Sequence, residues 1–484
     1  PIIHKESQPL ITREIQPIIT EQIQPVVHKE IQPIVHQEIQ PVITTQIQPV
    51  INQKIQPVVH KEIQPIVHQN IQPIITKQIQ PVINEQIQPV IHKEIVAEVT
   101  QTAYQQQFQQ MSMQMMDCRT WDDWTEMYRQ LVRWELQLSA TDSAMADMLR
   151  MQKEEANIGF AKFVKKNYMS WLGQREMMMS PDVFKLKVFP TLSTGKKVFF
   201  IVLDNFRYDQ WKTIETELSD FEIDEQLYCS ILPTATQYAR NAIFSGLMPD
   251  QIARMFPDLW VDEDEEEGKN LNEAPLIQTQ IDRYRRHDTF SYHKINTTED
   301  AERYMNLFPS LEKNDLNVLV VNFIDMLSHA RTESKMVREL AHDEAAYRSL
   351  TVSWFRHSIM SQLLRQLAQT DYQVIITTDH GSIRTNSPVK IIGDRNTNTN
   401  LRYKLGKNLS YDDKDLFVIK DPQKAFLPSP NISTSYVFAT GDKFFAYPNN
   451  YNYYVTYYRN TFQHGGISME EMIIPFITLK GKNR

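Results

Sequence analysis

Val198-Phe-Phe-Ile-Val-Leu203 runs without a polar residue into Asp204. A strand buried on both faces reads as such a continuous β-branched and aromatic run, and helix-covered parallel sheets are built from strands of this kind. The pattern recurs as Val318 to Ile324 before Asp325 and as Val374 to Thr378 before Asp379. Open α/β sheets hold ligands at the carboxyl ends of their strands. Three aspartates in that position therefore predict one site. Two of them come with a histidine, as Asp325-x-x-x-His329 and Asp379-His380, and His464 follows in Gln463-His464-Gly465-Gly466. Carboxylates and imidazoles in this number make a donor set for zinc, with manganese as the alternative.

At 484 residues the chain exceeds what one core holds, so more than one domain is expected. A formal charge of -8 excludes a general nucleic-acid coat and a basic membrane-surface protein, though not a local anion pocket. Two cysteines, Cys118 and Cys229, cannot build a disulfide framework. With no leader-like start and no apolar run near ~18 residues, the expectation is a cytoplasmic protein without membrane insertion.

Residues 1–96 form a separate segment. Proline falls at every eighth position from Pro1 to Pro89, in octads close to Pro-Ile-Ile-His-Lys-Glu-Ile-Gln. Proline at this spacing removes amide donors and argues against a continuous helix. Ile and Val favour extended structure, and an even period returns each position to the same strand face. A β-repeat or long ribbon is one reading; a stiff spacer or fusion tract unrelated to the rest is the other. Six of the thirteen histidines lie here, and repetition explains them better than metal binding does.

Residues 97–180 change to a helical period. Trp124, Tyr128, Leu131, Trp134 and Leu138 recur at steps of three and four, Thr120 with Asp123 reads as a helix start, and Thr141-Asp142 reads as another. With a Gln-rich helix over about residues 100–116, this predicts a three-helix bundle. Residues 181–484 then alternate strands and helices, which predicts a mostly parallel sheet with helices on both faces. Ahead of one helical pattern stand Thr234 and Thr236. A hydroxyl at a helix N-terminus lies where backbone amides and the dipole favour phosphate, and either threonine fits.

Asp at a strand end, Thr before a helix ending Ser245-Gly246, Asp-x-x-x-His, Asp-His-Gly and a late His-Gly-Gly follow one another in this chain as in the alkaline phosphatase superfamily. Four longer strings narrow the resemblance: Leu203-Asp-Asn-Phe-Arg-Tyr-Asp-Gln-Trp211, Ile231-Leu-Pro-Thr-Ala-Thr-Gln-Tyr-Ala-Arg-Asn241, Asp394-Arg-Asn-Thr-Asn-Thr-Asn-Leu-Arg-Tyr403 and Tyr457-Tyr-Arg-Asn-Thr-Phe-Gln-His-Gly-Gly466. They resemble the PglZ branch, in the form carried by response regulators of the type IX secretion system. The likeness runs from about Thr100 to the C-terminus.

The resemblance implies an alkaline-phosphatase-like catalytic domain with two zinc ions per chain. It assigns Asp325, His329 and His464 to one ion, and Asp204, Asp379, His380 and Thr236 to the other. Thr236 becomes the nucleophile, ten residues before Gly246, and a phosphothreonine is released by water. It further implies cleavage of phosphodiesters in oligonucleotides, cyclic ones included. Asn241, Arg395 and Asn398 are the candidate substrate-binding residues, while Arg240 is left free to face solvent. Partners implied are a secretion-system membrane protein, a transcription factor and a second copy of the chain. In that family a receiver domain precedes the bundle; the octads standing there have no receiver-like aspartate cluster. The competing expectation is a signalling adaptor whose metal site is structural.

Overall fold

The computed structural model describes residues 104–138, 143–174, 176–262, 270–394, 397–411, 414–429, 431 and 433–482. The described residues all belong to one unit, Ala97–Arg484. The octad tract, the Thr141-Asp142 helix start and Arg395 lie outside the described residues.

Three helices open this unit: α1 (104–117), α2 (Trp121–Leu138) and α3 (Ser143–Gly173). The start of α2 is a reciprocal cap, in which the Asp123 amide donates to Thr120 Oγ1 (3.2 Å) and the Thr120 amide to Asp123 Oδ2 (2.8 Å). The apolar stripe read from the sequence is buried: Trp124, Tyr128, Leu131, Trp134 and Leu138 all face inward. Trp124 lies edge-on to Phe160 of α3 at 5.7 Å, Trp134 meets Tyr104 of α1 at 5.3 Å, and Tyr128 meets Tyr208 at 5.7 Å. Of the methionines on α1, Met111 and Met115 lie in the core and Met113 and Met116 are exposed.

A six-stranded sheet follows, built from β1 (Val198–Leu203), β2 (Phe221–Cys229), β3 (Phe290–Ile295), β4 (Leu316–Val321), β5 (Gln373–Thr377) and β14 (Ile473–Gly481), in the order β2-β14-β5-β1-β4-β3. β1, β3, β4 and β5 are mutually parallel. β14 runs antiparallel to both β5 and β2. Every residue of β1 and β4 is buried, as expected for strands covered on both faces. Five helices that bear on the site are α4 (Tyr208–Ile214), α5 (Thr236–Ser245), α6 (Glu273–Arg283), α7 (Phe323–Glu333) and α8 (Glu344–His357).

Two features depart from the sequence reading. The second apolar run does not stay a strand as far as Asp325. β4 stops at Val321 and α7 begins at Phe323, so Asp325 sits in the first turn of a helix. Phe323 and Ile324, in the first turn of that helix, are apolar because Phe323 stacks on Trp354 of α8 at 4.7 Å and Ile324 is buried in the core, which continues the apolar run past the strand end. The strict strand–helix alternation also lapses after β5. There the chain makes β6 (Ile383–Arg384), β7 (Ser387–Ile392), β8 (Tyr403–Lys407), β9 (Ser410–Tyr411), β10 (Phe417–Ile419), β11 (Thr434–Phe438), β12 (Lys443–Ala446) and β13 (Phe462–Gln463). These short strands form small sheets, mainly antiparallel, before β14 returns to the main one. The Asn-, Gly- and Pro-rich stretches between them favour turns over crossover helices.

Candidate metal and phosphoryl-transfer site

The carboxyl edge of the sheet collects the predicted residues. Asp204 follows β1, Asp379 and His380 follow β5, and Asp325 opens the helix that follows β4. Because β14 is antiparallel, its first residues lie at this same edge, and the segment leading into it brings His464 there. β2 ends there too, and the loop after Cys229 carries Thr236 to the first position of α5.

Two ligand trios result. In Asp325, His329 and His464, and again in Asp204, Asp379 and His380, one donor atom from each residue lies within 4.8 Å of the others. Asp325 and His329 are four apart on α7 and so share a face, with Nε2 to Oδ2 at 3.4 Å. His464 Nε2 is 3.7 Å from Asp325 Oδ1. His380 Nε2 is 3.7 Å from Asp204 Oδ1 and 3.8 Å from Asp379 Oδ2. The His380 and His464 rings stack at 4.1 Å and bring the trios side by side.

The donor set fits a divalent cation on three counts. His380 Nδ1 lies 3.1 Å from the Gly381 carbonyl and His464 Nδ1 3.1 Å from the Thr234 carbonyl. A carbonyl only accepts, so the proton sits on Nδ1 and the Nε2 lone pair faces the carboxylates. Burial keeps both imidazoles in the neutral, ligating form, with His464 pulled down to about 4 by burial and by His380. Finally, Asp379 Oδ2 is buried and accepts no hydrogen bond. Burial and the neighbouring Asp379 push the Asp204 carboxyl upward, which marks a site short of positive charge.

The two threonines separate by their partners. Thr234 is fully buried; its hydroxyl donates to the Gly466 carbonyl (2.9 Å) and accepts from the Gly465 amide (3.0 Å). It latches the His464 loop. Thr236 is only partly buried, and its hydroxyl lies 3.1 Å from His380 Nε2 and 3.4 Å from Asp204 Oδ1. Gly246 ends α5 at φ +64, the left-handed turn that closes a helix, and a Cβ there would strike Gln280. Gly465 at φ +122 lets the His464 loop pass close against the Tyr403 ring.

Among the candidate substrate residues, Asn241 is buried on α5, one position past the face that carries Thr236. Asn398 is half-buried, and its Oδ1 accepts from the Leu405 amide (3.0 Å) within its own loop. That loop reaches the site through Asn400 and Tyr403, which pack on Gly465.

Two residues here escaped the sequence reading. Arg240 does not face solvent: it is 1% exposed, donates to Asp204 Oδ2 (2.7 Å) and to Glu273 Oε1 (2.5 Å), and approaches Asp379 Oδ2 at 3.6 Å. Its four-residue spacing from Thr236 on one helix was the available signal. Asn205, at φ +62, bonds Asp325 Oδ1 and Ser328 Oγ (both 3.2 Å) through its side chain and Asp379 Oδ1 (3.4 Å) through its amide. It ties the three strand ends together. Asparagine tolerates the left-handed region, but nothing local in the sequence says that this position needs it.

Residues 183–479 match the BREX system PglZ alkaline phosphatase-like domain, and the chain belongs to that family. It is thus a hydrolase of the phosphoester-cleaving, metal-dependent kind, with candidate metal-binding groups in place. Residues 94–172 match the PorX response regulator linker domain, so the helical bundle and the catalytic domain are those of a PglZ protein close to PorX. Among solved structures, phosphonoacetate hydrolase from Sinorhizobium meliloti 1021 in complex with phosphonoformate aligns with 58% of this chain and 89% of its own, at 10% identity and a TM-score of 0.37. Comparison with curated proteins gave no match. No helix among the described residues is long and apolar enough to cross a membrane.

Proposed function

We propose that the chain is a zinc-dependent phosphodiesterase that cleaves oligonucleotides, cyclic ones included, with Thr236 as nucleophile. One observation carries the reading: the Thr236 hydroxyl lies against His380 and Asp204 where two Asp/His trios meet. Asp325, His329 and His464 would hold one ion, and Asp204, Asp379 and His380 the other. Two such ions supply charge to stabilise the entering and leaving oxygens of an in-line displacement.

The chain's own residues do the rest. The N-terminus of α5 presents amides and a favourable dipole to a phosphoryl oxygen beside Thr236. The hydroxyl oxygen forms a bond to phosphorus as the bond to the departing alcohol breaks, and the hydroxyl proton ends, by way of solvent, on the departing alcohol oxygen. Water then breaks the bond between phosphorus and the Thr236 oxygen of this threonine-linked diester, freeing the nucleotide as a phosphate monoester and restoring the hydroxyl. Arg240 holds Asp204 in place and offsets part of the charge of Asp379. Asn241, Arg395 and Asn398 are proposed to meet the substrate beyond the scissile phosphate.

The linker-domain match supports a regulatory setting like that of PorX in type IX secretion, with a membrane partner, a transcription factor or a second copy reached through the bundle. A structural-metal adaptor needs no nucleophile and no second trio, so the phosphodiesterase reading is preferred. The test is turnover of a chromogenic phosphodiester by wild type and Thr236→Ala at matched metal content. Loss in the variant supports the reading; equal rates overturn it.

A further inference from the structure

Tyr451-Asn-Tyr-Tyr-Val-Thr-Tyr-Tyr458 forms a helix whose inward side is Tyr451, Val455 and Tyr458, packed on Phe444 and Ala446. That leaves Tyr453, Tyr454 and Tyr457 with no core to fill, and Tyr453 is 64% exposed. The rings are ordered into a ladder: Tyr453 stacks on Tyr457 at 6.1 Å and 16°, and Tyr454 on Tyr458 at 6.2 Å and 12°. Cations border it, with Arg338 over the Tyr457 ring at 5.5 Å and Lys390 over Tyr451 at 5.9 Å. The helix carries no charge of its own, and Glu339, the nearest acid on the Arg338 helix, is paired with Lys335.

The ladder is fastened to the site. The Tyr458 carbonyl accepts from Thr385 (3.2 Å), five residues after His380, and from Thr461 (2.6 Å), three residues before His464. Asn460 takes a hydrogen bond from Arg331, two residues past His329. The segments that carry the three histidine ligands are thus each hydrogen-bonded to the chain at or just past the ladder's C-terminal end.

We infer that this tyrosine ladder is a base-stacking platform that receives the single-stranded oligonucleotide whose phosphodiester is cleaved at the site, an inference that rests on the proposed substrate class. Stacking accepts any base, and the bordering cations meet the backbone phosphates, the combination by which single strands are held without sequence preference.

The test measures binding rather than cleavage, so that it stands apart from the hydrolysis reading. Fluorescence anisotropy of a 5′-fluorescein-labelled oligo(dT) hexamer is recorded on the full chain carrying Thr236→Ala, with and without Tyr453→Leu and Tyr457→Leu. Leucine keeps apolar bulk on the helix and removes the ring faces. The expected result is a Kd at least tenfold weaker for the double leucine form, with Lys390→Gln separately lowering the salt dependence of binding. An unchanged Kd overturns the inference even if the parent hydrolyses diesters. So does a sedimentation shift from dimer to monomer with Kd unaltered, which would make the ladder a contact between copies.

Discussion

Thr234 and Thr236 stand two positions apart and do different work. The first closes a hydrogen-bonded latch on the His464 loop, and the second points at the ligand trios. Thr236→Ala should abolish diester turnover by orders of magnitude while metal content stays near wild type. Thr234→Ala should loosen His464 instead, lowering zinc content in elemental analysis after dialysis and the melting temperature with it. Arg240→Met should leave Glu273 buried with one cation fewer, at a cost of about 3 to 5 kcal/mol read from urea unfolding. The aspartate and histidine ligands are legible in the sequence because each ends an apolar run or stands in a short motif. Arg240 is not, because one sequence does not say whether an arginine on a helix turns inward.

A seam of buried charge joins the helical bundle to the sheet edge. Glu135 of α2 meets Lys153 of α3 (2.6 Å) and Arg348 of α8 (2.6 Å), and Arg348 reaches Asp209 of α4 (3.1 Å). Asp209 pairs with Arg207, three residues past Asp204. Asn157 of α3 holds the Met469 amide and the Glu470 carboxylate just before β14. Burial alone would raise the Glu135 and Asp209 carboxyls. Lys153 and Arg348 on Glu135, and Arg207 and Arg348 on Asp209, outweigh it and hold both below the ordinary carboxylate range. A carboxyl depressed in the folded state stabilises the fold above its unfolded pKa, near ~4, and that stability is lost as pH falls through the folded value. Acid unfolding followed by circular dichroism should therefore show Glu135→Gln with a shallower loss of stability below about pH 4 than wild type. The strands β1 and β5 are readable as continuous apolar runs, whereas the β4–α7 junction is not, because Phe323 and Ile324 continue the run into a helix. Strand order, and with it the antiparallel return of β14, depends on long-range pairing that no local pattern encodes.

At the scale of the whole chain, the unit Ala97–Arg484 has its own continuous core, from Trp124 in the bundle to Leu479 in β14. Residues 97–484 expressed alone should fold and hydrolyse diesters at the full-length rate; a truncation that aggregates or loses activity would give the octad tract a structural role. The central claim is that two metal ions flank one threonine. Anomalous scattering at the zinc edge, on crystals of the full chain grown in zinc, tests it most directly. The account predicts two peaks, one among Asp325, His329 and His464 and the other among Asp204, Asp379 and His380, with the Thr236 hydroxyl beside the second. A single peak closed off from Thr236, or no peak at either trio, would contradict it.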